Sequence, residues 1–566
     1  GLTGGTTYYF CAIAQNSVAT GFGAVMSFTT LARPEVTTAA ATSVSGTGAT
    51  LNGSATPFGD ATTAWFRYSA SDPGACSDSF GTRAPASGGS ALGAGHTAVP
   101  YSQALTGLST GTTYYFCAIA QNSIGTDLGA VISFTTPAQP TVTTAPATAV
   151  TGTTATLNGT ADPNLASATG WFRYATTSPG ACNDAFGTRS PASGGAALGA
   201  GDGPVPFTGA LTGLSTGTTY YFCAIAQNSV GTSVGAVLSF TTPGAPTVTT
   251  GIASAVTSSG ATLEGSANPN LEAATGWFRY STSDPGLCSD SFGTRAPAIG
   301  GATLGSGSSA VAYSQPITGL AAGTTYYYCA IADNAVGTGY GTVLTFTTLS
   351  APTVTTGSAT GVTGTGATIS GTANPNMVDT TGWFRYSTTS PGTCNDSFGT
   401  RTGDAALGAG WTAVPYSAAI TGLSAGTTYF YCAIAASTVG TSYGLVASFT
   451  TPSAPLATTV GVTSLSGTGA TLNGSANPNG ATATGWFRYD TTDPGSCSDS
   501  FGTRAPASGG SALGAGTIPV AFSQAITGLT AGTTYYFCAI AQNSMGAGTG
   551  SVLSFTTPTP PTVETL

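Results

Sequence analysis

The chain has 566 residues, enough for about four domains on length alone, yet only 5% of them are charged, against roughly 25% in ordinary soluble domains. Its 11 cations are all arginine, and a net charge of −9 over this length builds no strong field. Nucleic acid, which needs clustered Lys/Arg, and a polybasic membrane contact are therefore excluded as partners, and no apolar run reaches the 18 residues of a membrane-spanning helix.

The first residues already belong to a repeating pattern. Gly1 to Tyr8 matches Gly107 to Tyr114, and Pro561-Thr562-Val563 matches Pro140-Thr141-Val142, so the chain reads as a window on a longer protein whose targeting segments lie elsewhere. Cys11, Cys117, Cys223, Cys329, Cys432 and Cys538 share a TYxxCAIA-type run and recur every 106 residues, with one step of 103. Cys76, Cys182, Cys288, Cys394 and Cys497 share PGxC[SN]D, each 65 residues after the cysteine before it. Such a period matches one small domain rather than a helical solenoid or a propeller blade. The expected units are 1–31 (the C-terminal part of a repeat), 32–137, 138–243, 244–349, 350–452, 453–558, and 559–566 as the first strand of a further repeat.

Within residues 32–137 the elements follow in order. Pro34-Glu35-Val36-Thr37-Thr38 suits an edge strand behind a proline. Ala49 to Ser54 alternates and ends in the turn Thr56-Pro57-Phe58-Gly59-Asp60. Ala64-Trp65-Phe66-Arg67-Tyr68-Ser69 is a strand by its aromatic content. A Gly/Ser/Pro-rich stretch from Asp72 to Gly95 precedes Ala98 to Ser102, and a glycine turn at Gly111 leads to the strand Thr113 to Ala120. Ala130 to Thr136 closes the unit. Short strands, frequent turns and no helical periodicity predict an all-β sandwich, repeated in tandem.

Leu108-Ser109-Thr110-Gly111-Thr112-Thr113-Tyr114, with Phe116, Ala118, Ala120 and Asn122, resembles the strand E–F segment of fibronectin type III domains. Ala49 to Ser54 and Ser133-Phe134-Thr135-Thr136 resemble a bacterial subgroup found as repeats in large secreted proteins. The resemblance covers essentially the whole chain. It implies tyrosine corners at Tyr8, Tyr114, Tyr220, Tyr326, Tyr429 and Tyr535. It also implies that strands C and F are neighbours, with Phe66, Tyr68, Tyr114 and Phe116 facing the core. Trp65, Arg67, Tyr115, Cys117 and Ile119, like Trp171, Arg173 and Tyr221 in the next unit, then face outward.

Two features depart from the family: the cysteine pair and a longer C–C′ connection. We expect the stretch from Asp72 to Gly95 to fold over the outer face and hide Trp65 and Tyr115, with Arg67 meeting Asp78. The implied strand neighbours favour disulfides within repeats: Cys76–Cys117, Cys182–Cys223, Cys288–Cys329, Cys394–Cys432 and Cys497–Cys538. Pairing across repeats, such as Cys11–Cys76, would have to bridge two domains end to end. A plain stapled loop and a contact surface at the Arg83-type FGTR tip are both open readings of the flap.

Signs of chemistry are missing. The only histidine, His96, aligns with Asp202, Ser308, Trp411 and Thr517 in a variable loop. Glycine runs follow no phosphate-binding spacing, and no CxxC or histidine pattern suggests a metal. No catalytic residue, cofactor or metal is expected, and the N-x-[ST] sequons at Asn52, Asn158 and Asn473 are ordinary for a Ser/Thr-rich chain. Proline-flanked linkers such as Pro137-Ala138-Gln139-Pro140 predict semi-rigid joints. The expected function is a disulfide-bonded extracellular rod that self-associates into a surface filament, sheath or stalk. The alternatives are an adhesin stalk or ligand-binding array carrying a tip domain, and carbohydrate-binding spacers of a large secreted enzyme, with polysaccharide or cell-surface contact.

Overall fold

A computed structural model describes residues 1–563, and every helix-or-strand element among them is a β-strand. The first four strands, β1 (Thr7–Phe10), β2 (Ile13–Gln15), β3 (Thr20–Phe22) and β4 (Met26–Thr29), pair as β1 with β4 and β2 with β3. No second sheet packs on them, so Tyr9, Phe10 and Phe22 stay more than half exposed.

The first full repeat runs through β5 (Glu35–Ser45), β6 (Gly48–Thr56), β7 (Thr62–Ser69), β8 (Thr82–Ala84), β9 (Ser90–Gly93), β10 (Val99–Thr106), β11 (Thr113–Gln121), β12 (Thr126–Leu128) and β13 (Ile132–Thr135). One sheet has the order β10-β6-β5; in the other, β7 and β11 are central, with β8 and β9 along one edge and β12 and β13 along the other. All pairs are antiparallel, with Phe116 opposite Tyr68 and Ala118 opposite Phe66. This is the fibronectin type III arrangement of two packed sheets. The same order recurs in the next four repeats, each with a three-stranded and a six-stranded sheet.

Strict alternation builds the core. Strand β6 buries Ala49, Leu51, Gly53 and Ala55 and turns Thr50, Asn52 and Ser54 away. Strand β11 sends Tyr114, Phe116, Ala118 and Ala120 inward, where they meet Phe66, Tyr101, Leu105 and Leu108. Strand β11 is also buried on its other side at Cys117 and Ile119. It reads as a continuous apolar run because both faces are covered.

Where β12 gives way to β13 the ladder is interrupted. The Ala118 N–H has no sheet partner at this break, and it donates to Thr38 Oγ1 of β5 at 3.0 Å. Gly129 N–H bonds Ala118 O at 2.9 Å, and a Cβ on Gly129 would stand 2.4 Å from Thr38 Oγ1. Only glycine fits, and the same Thr–Gly pairing recurs as Thr144/Gly235, Thr250/Gly341, Thr356/Gly444 and Thr459/Gly550.

The stretch between β7 and β10 differs from the sequence expectation. It is not one flap: residues 82–93 form β8 and β9, which extend the sheet along β7 and send Ala84 and Leu92 into the core. Only the preceding segment, up to Gly81, is free to cover the outer face. Residues 559–563 form no strand, and the rest of the expected further strand, residues 564–566, lies outside the described residues.

Candidate functional site

The outer face of β7 and β11 carries a second, smaller cluster. In register, Ile119 lies opposite Trp65 and Cys117 opposite Arg67. Trp65 (5% exposed), Cys117 and Ile119 pack with Cys76, Phe80 and Val131. The Cys76–Cys117 disulfide pins the flap, with a Cα–Cα distance of 5.9 Å and a separation of 41 residues. The other four are Cys182–Cys223, Cys288–Cys329, Cys394–Cys432 and Cys497–Cys538, and Cys11 is a free thiol.

Polar groups complete the cage. Trp65 Nε1 donates to Asp78 Oδ1 at 2.8 Å, and Arg67 Nε donates to the same oxygen at 3.1 Å. The Arg83 guanidinium lies over the indole, 4.5 Å from the ring centroid, and its nitrogens donate to the carbonyls of Pro85 and Gly88. Such a cation–π contact contributes about 0.5–2 kcal/mol, depending on how dry it is. The Arg67–Asp78 pair, half exposed at the aspartate, contributes about 0–1 kcal/mol. The cage recurs at Trp171/Arg173/Asp184/Arg189, Trp277/Arg279/Asp290/Arg295, Trp383/Arg385/Asp396/Arg401 and Trp486/Arg488/Asp499/Arg504. Partial burial pushes the carboxyls of Asp184, Asp290 and Asp396 up. Hydrogen bonds from the tryptophan and arginine, with the guanidinium charges, outweigh it and hold each below the usual carboxylate value.

Two sequence expectations need correcting. Tyr115 and Tyr221 are only half-buried and stand outside the tryptophan cluster. Tyr115 sits opposite Ser69, at the end of β7 away from Trp65. Arg83 is not a projecting tip either; it folds back onto Trp65, because an uncovered indole face offers it a better site than bulk water. Its recurrence in every FGTR, beside a recurring tryptophan, was the available signal.

At the tyrosine corners, the Tyr114 hydroxyl accepts a bond from Ser109 N–H at 3.0 Å. Tyr8, Tyr220, Tyr326, Tyr429 and Tyr535 accept the equivalent bonds from Thr3, Ser215, Ala321, Ser424 and Thr530.

The joints hold residues that sequence reasoning missed. Asn122 Nδ2, 8% exposed as a residue, donates to Ala32 O in the linker at 2.8 Å and to Pro57 O in the β6–β7 turn at 3.2 Å. Its Oδ1 accepts from the N–H groups of Ile124 and Gly125. One buried carboxamide therefore ties linker and two turns together. Asn228, Asn334 and Asn543 do the same with Ala138 and Pro163, Gly244 and Pro269, and Ser453 and Pro478. Beside these clamps, grooves open between successive repeats, one lined by Thr135, Ala138, Leu165 and Asp202, the next by Thr241, Gly244, Leu271 and Ser308. Among the described residues no cluster of three or more metal-ligating side chains occurs, and no helix is long and apolar enough to cross a membrane.

No protein-family model and no curated protein sequence matches the chain. Among solved structures, the crystal structure of the chicken CNTN1 FN1–FN3 domains is similar at 15% sequence identity and a TM-score of 0.21, over 56% of this chain and 99% of that chain. The strand order, register and corner bonds of the repeats themselves are those of a fibronectin type III-like sandwich.

Proposed function

We propose that the chain is the shaft of an extracellular structural assembly: a rod of stapled sandwiches that self-associates into a filament, sheath or stalk. The observation that carries this reading is the set of asparagine clamps at four of the five joints, which leave those linkers too engaged to act as free hinges. Five disulfides suit an oxidising compartment outside the cytosol. The flap cages absorb two arginines per repeat, so few cations remain on the surface to order approaching copies by charge. The edge equivalent to β10 carries Pro100, Pro206, Pro316 or Pro415 in four of five repeats, which disfavours pairing of copies along that edge. Negative-stain microscopy across a concentration series tests the reading. Rods that bundle or polymerise support it, and dispersed monomeric rods at millimolar concentration overturn the assembly part.

A binding array is the second reading, favoured by Trp411, which is 59% exposed at the loop position that holds Asp202 and Ser308 beside the joint grooves. An exposed indole among uncharged Ser/Thr groups suits the apolar face of a sugar ring. Polysaccharide pull-down that fails equally with the parent and with Trp411→Ala removes this reading.

A further inference from the structure

The joint between residues 244–349 and 350–452 is built differently from its neighbours. At each of the other three joints between full repeats, a linker N–H bonds into the repeat that follows. Ala138 N–H donates to Asn164 O at 3.1 Å, Gly244 N–H to Asn270 O at 3.0 Å, and Ser453 N–H to Asn479 O at 3.1 Å. In each of these three joints the asparagine clamp adds two further bonds, and a proline (Pro137, Pro243 or Pro452) restricts the backbone just before.

At the third-to-fourth joint all of these devices change together. Ser437 replaces the clamp asparagine, and its short side chain only accepts a bond from Val439 N–H, at 3.2 Å. Leu349 replaces the proline, and its freed N–H turns back to Thr257 O of the preceding repeat at 3.0 Å. Of the ties between linker and following repeat, the bond from Asn376 Nδ2 to Ala351 O at 2.7 Å persists. All four linkers are held to the repeat behind by one equivalent bond (Gly111 N–H to Pro137 O, Gly217 to Pro243, Gly323 to Leu349 and Gly426 to Pro452), and here the linker loses ties to the repeat ahead while Leu349 adds one to the repeat behind.

We infer that this joint is the bend point of the array: a designed-in hinge between two stiffer segments, with Ser350 as the residue about which they swing. A buried carboxamide that satisfies two carbonyls at once resists rotation of the linker against both turns. A serine hydroxyl cannot reach either carbonyl, and leucine removes the fixed φ of proline. The inference concerns stiffness and needs no self-association, so it stands or falls separately from the filament reading.

The test is single-particle microscopy of the full chain with an N-terminal gold label, measuring the angle at each joint. The expected result is a broad angular distribution at the third-to-fourth joint and narrow ones at the other three joints between full repeats. Leu349→Pro with Ser437→Asn should narrow it to match its neighbours, and Asn228→Ser should open a second flexible joint at residues 137–140. Calorimetry on each variant checks that the repeats themselves still melt as in the parent. Equal angular spread at all joints, or no narrowing in a double variant that melts normally, overturns the inference.

Discussion

Replacing Cys182 with Ser and Cys223 with Ala opens one covalent loop of 41 residues and leaves the other four disulfides closed. Loop-closure entropy for that length corresponds to about 4 kcal/mol at 25 °C. A repeat of this size unfolds with an entropy of about 220 cal/mol/K, so the loss should lower its melting temperature by about 15–20 °C. Because the flap bears Phe186 and Asp184 of the tryptophan cage, its release also loosens Trp171, which acts in the same direction. Scanning calorimetry of the whole array should show an endotherm of about 70 kcal/mol, one repeat's worth, separating from the main transition and moving down. A shift below about 5 °C would mean that the cage alone fixes the flap and the disulfide is incidental. A common shift of all repeats would instead mean that they unfold as one unit.

Gly235→Ala places a methyl group 2.4 Å from Thr144 Oγ1 and should destabilise that repeat by about 1–3 kcal/mol, read as a lowered transition in the same scan. Arg189→Ala uncovers the Trp171 ring and should cost about 0.5–2 kcal/mol, with a red shift of tryptophan emission as the indole meets water; unchanged emission would refute the stacking role. Burial raises the hydroxyls of Tyr101, Tyr313 and Tyr416 above their usual value, so their contribution is full below about pH 10 and is lost as pH rises beyond it. The repeats with Phe207 and Phe522 at that position should resist alkali better, which urea melts at pH 8 and 11 would resolve. Asp184, Asp290 and Asp396 titrate below their usual value, so their contribution is full above about pH 4 and disappears as the solution is acidified further; melts that are already weakened at pH 5 would contradict this.

Much of the sandwich was legible because its signals are local. The alternation of β6 and the Tyr114 segment announce strand, face and corner from a few neighbouring residues. The flap was legible in outline, since two recurring cysteines and a recurring Trp-x-Arg imply a covered outer face. Its detail was not: nothing local tells that residues 82–93 leave the flap to pair with β7, or that Arg83 turns back to Trp65 across the sheet. The clamps were harder still. Asn122 looks like any turn asparagine, and its partner carbonyl on Ala32 lies 90 residues earlier in the chain. The hinge inferred from Ser437 depends on knowing that partnership, so a Ser-for-Asn change in a turn carries no message until the fold is seen.

The position of the disulfide within the repeat has a mechanical consequence. If an array like this is pulled from its ends, tension enters each sandwich at its first and last strands and meets a covalent shortcut between Cys76 and Cys117. The chain between those cysteines, including β8, β9 and β10, never bears the load. A ruptured repeat therefore pays out only about 65 of its roughly 106 residues, on the order of 220 Å of chain instead of about 370 Å. Each sandwich yields a short, fixed length and then stops, so the array lengthens in limited steps while every flap stays closed.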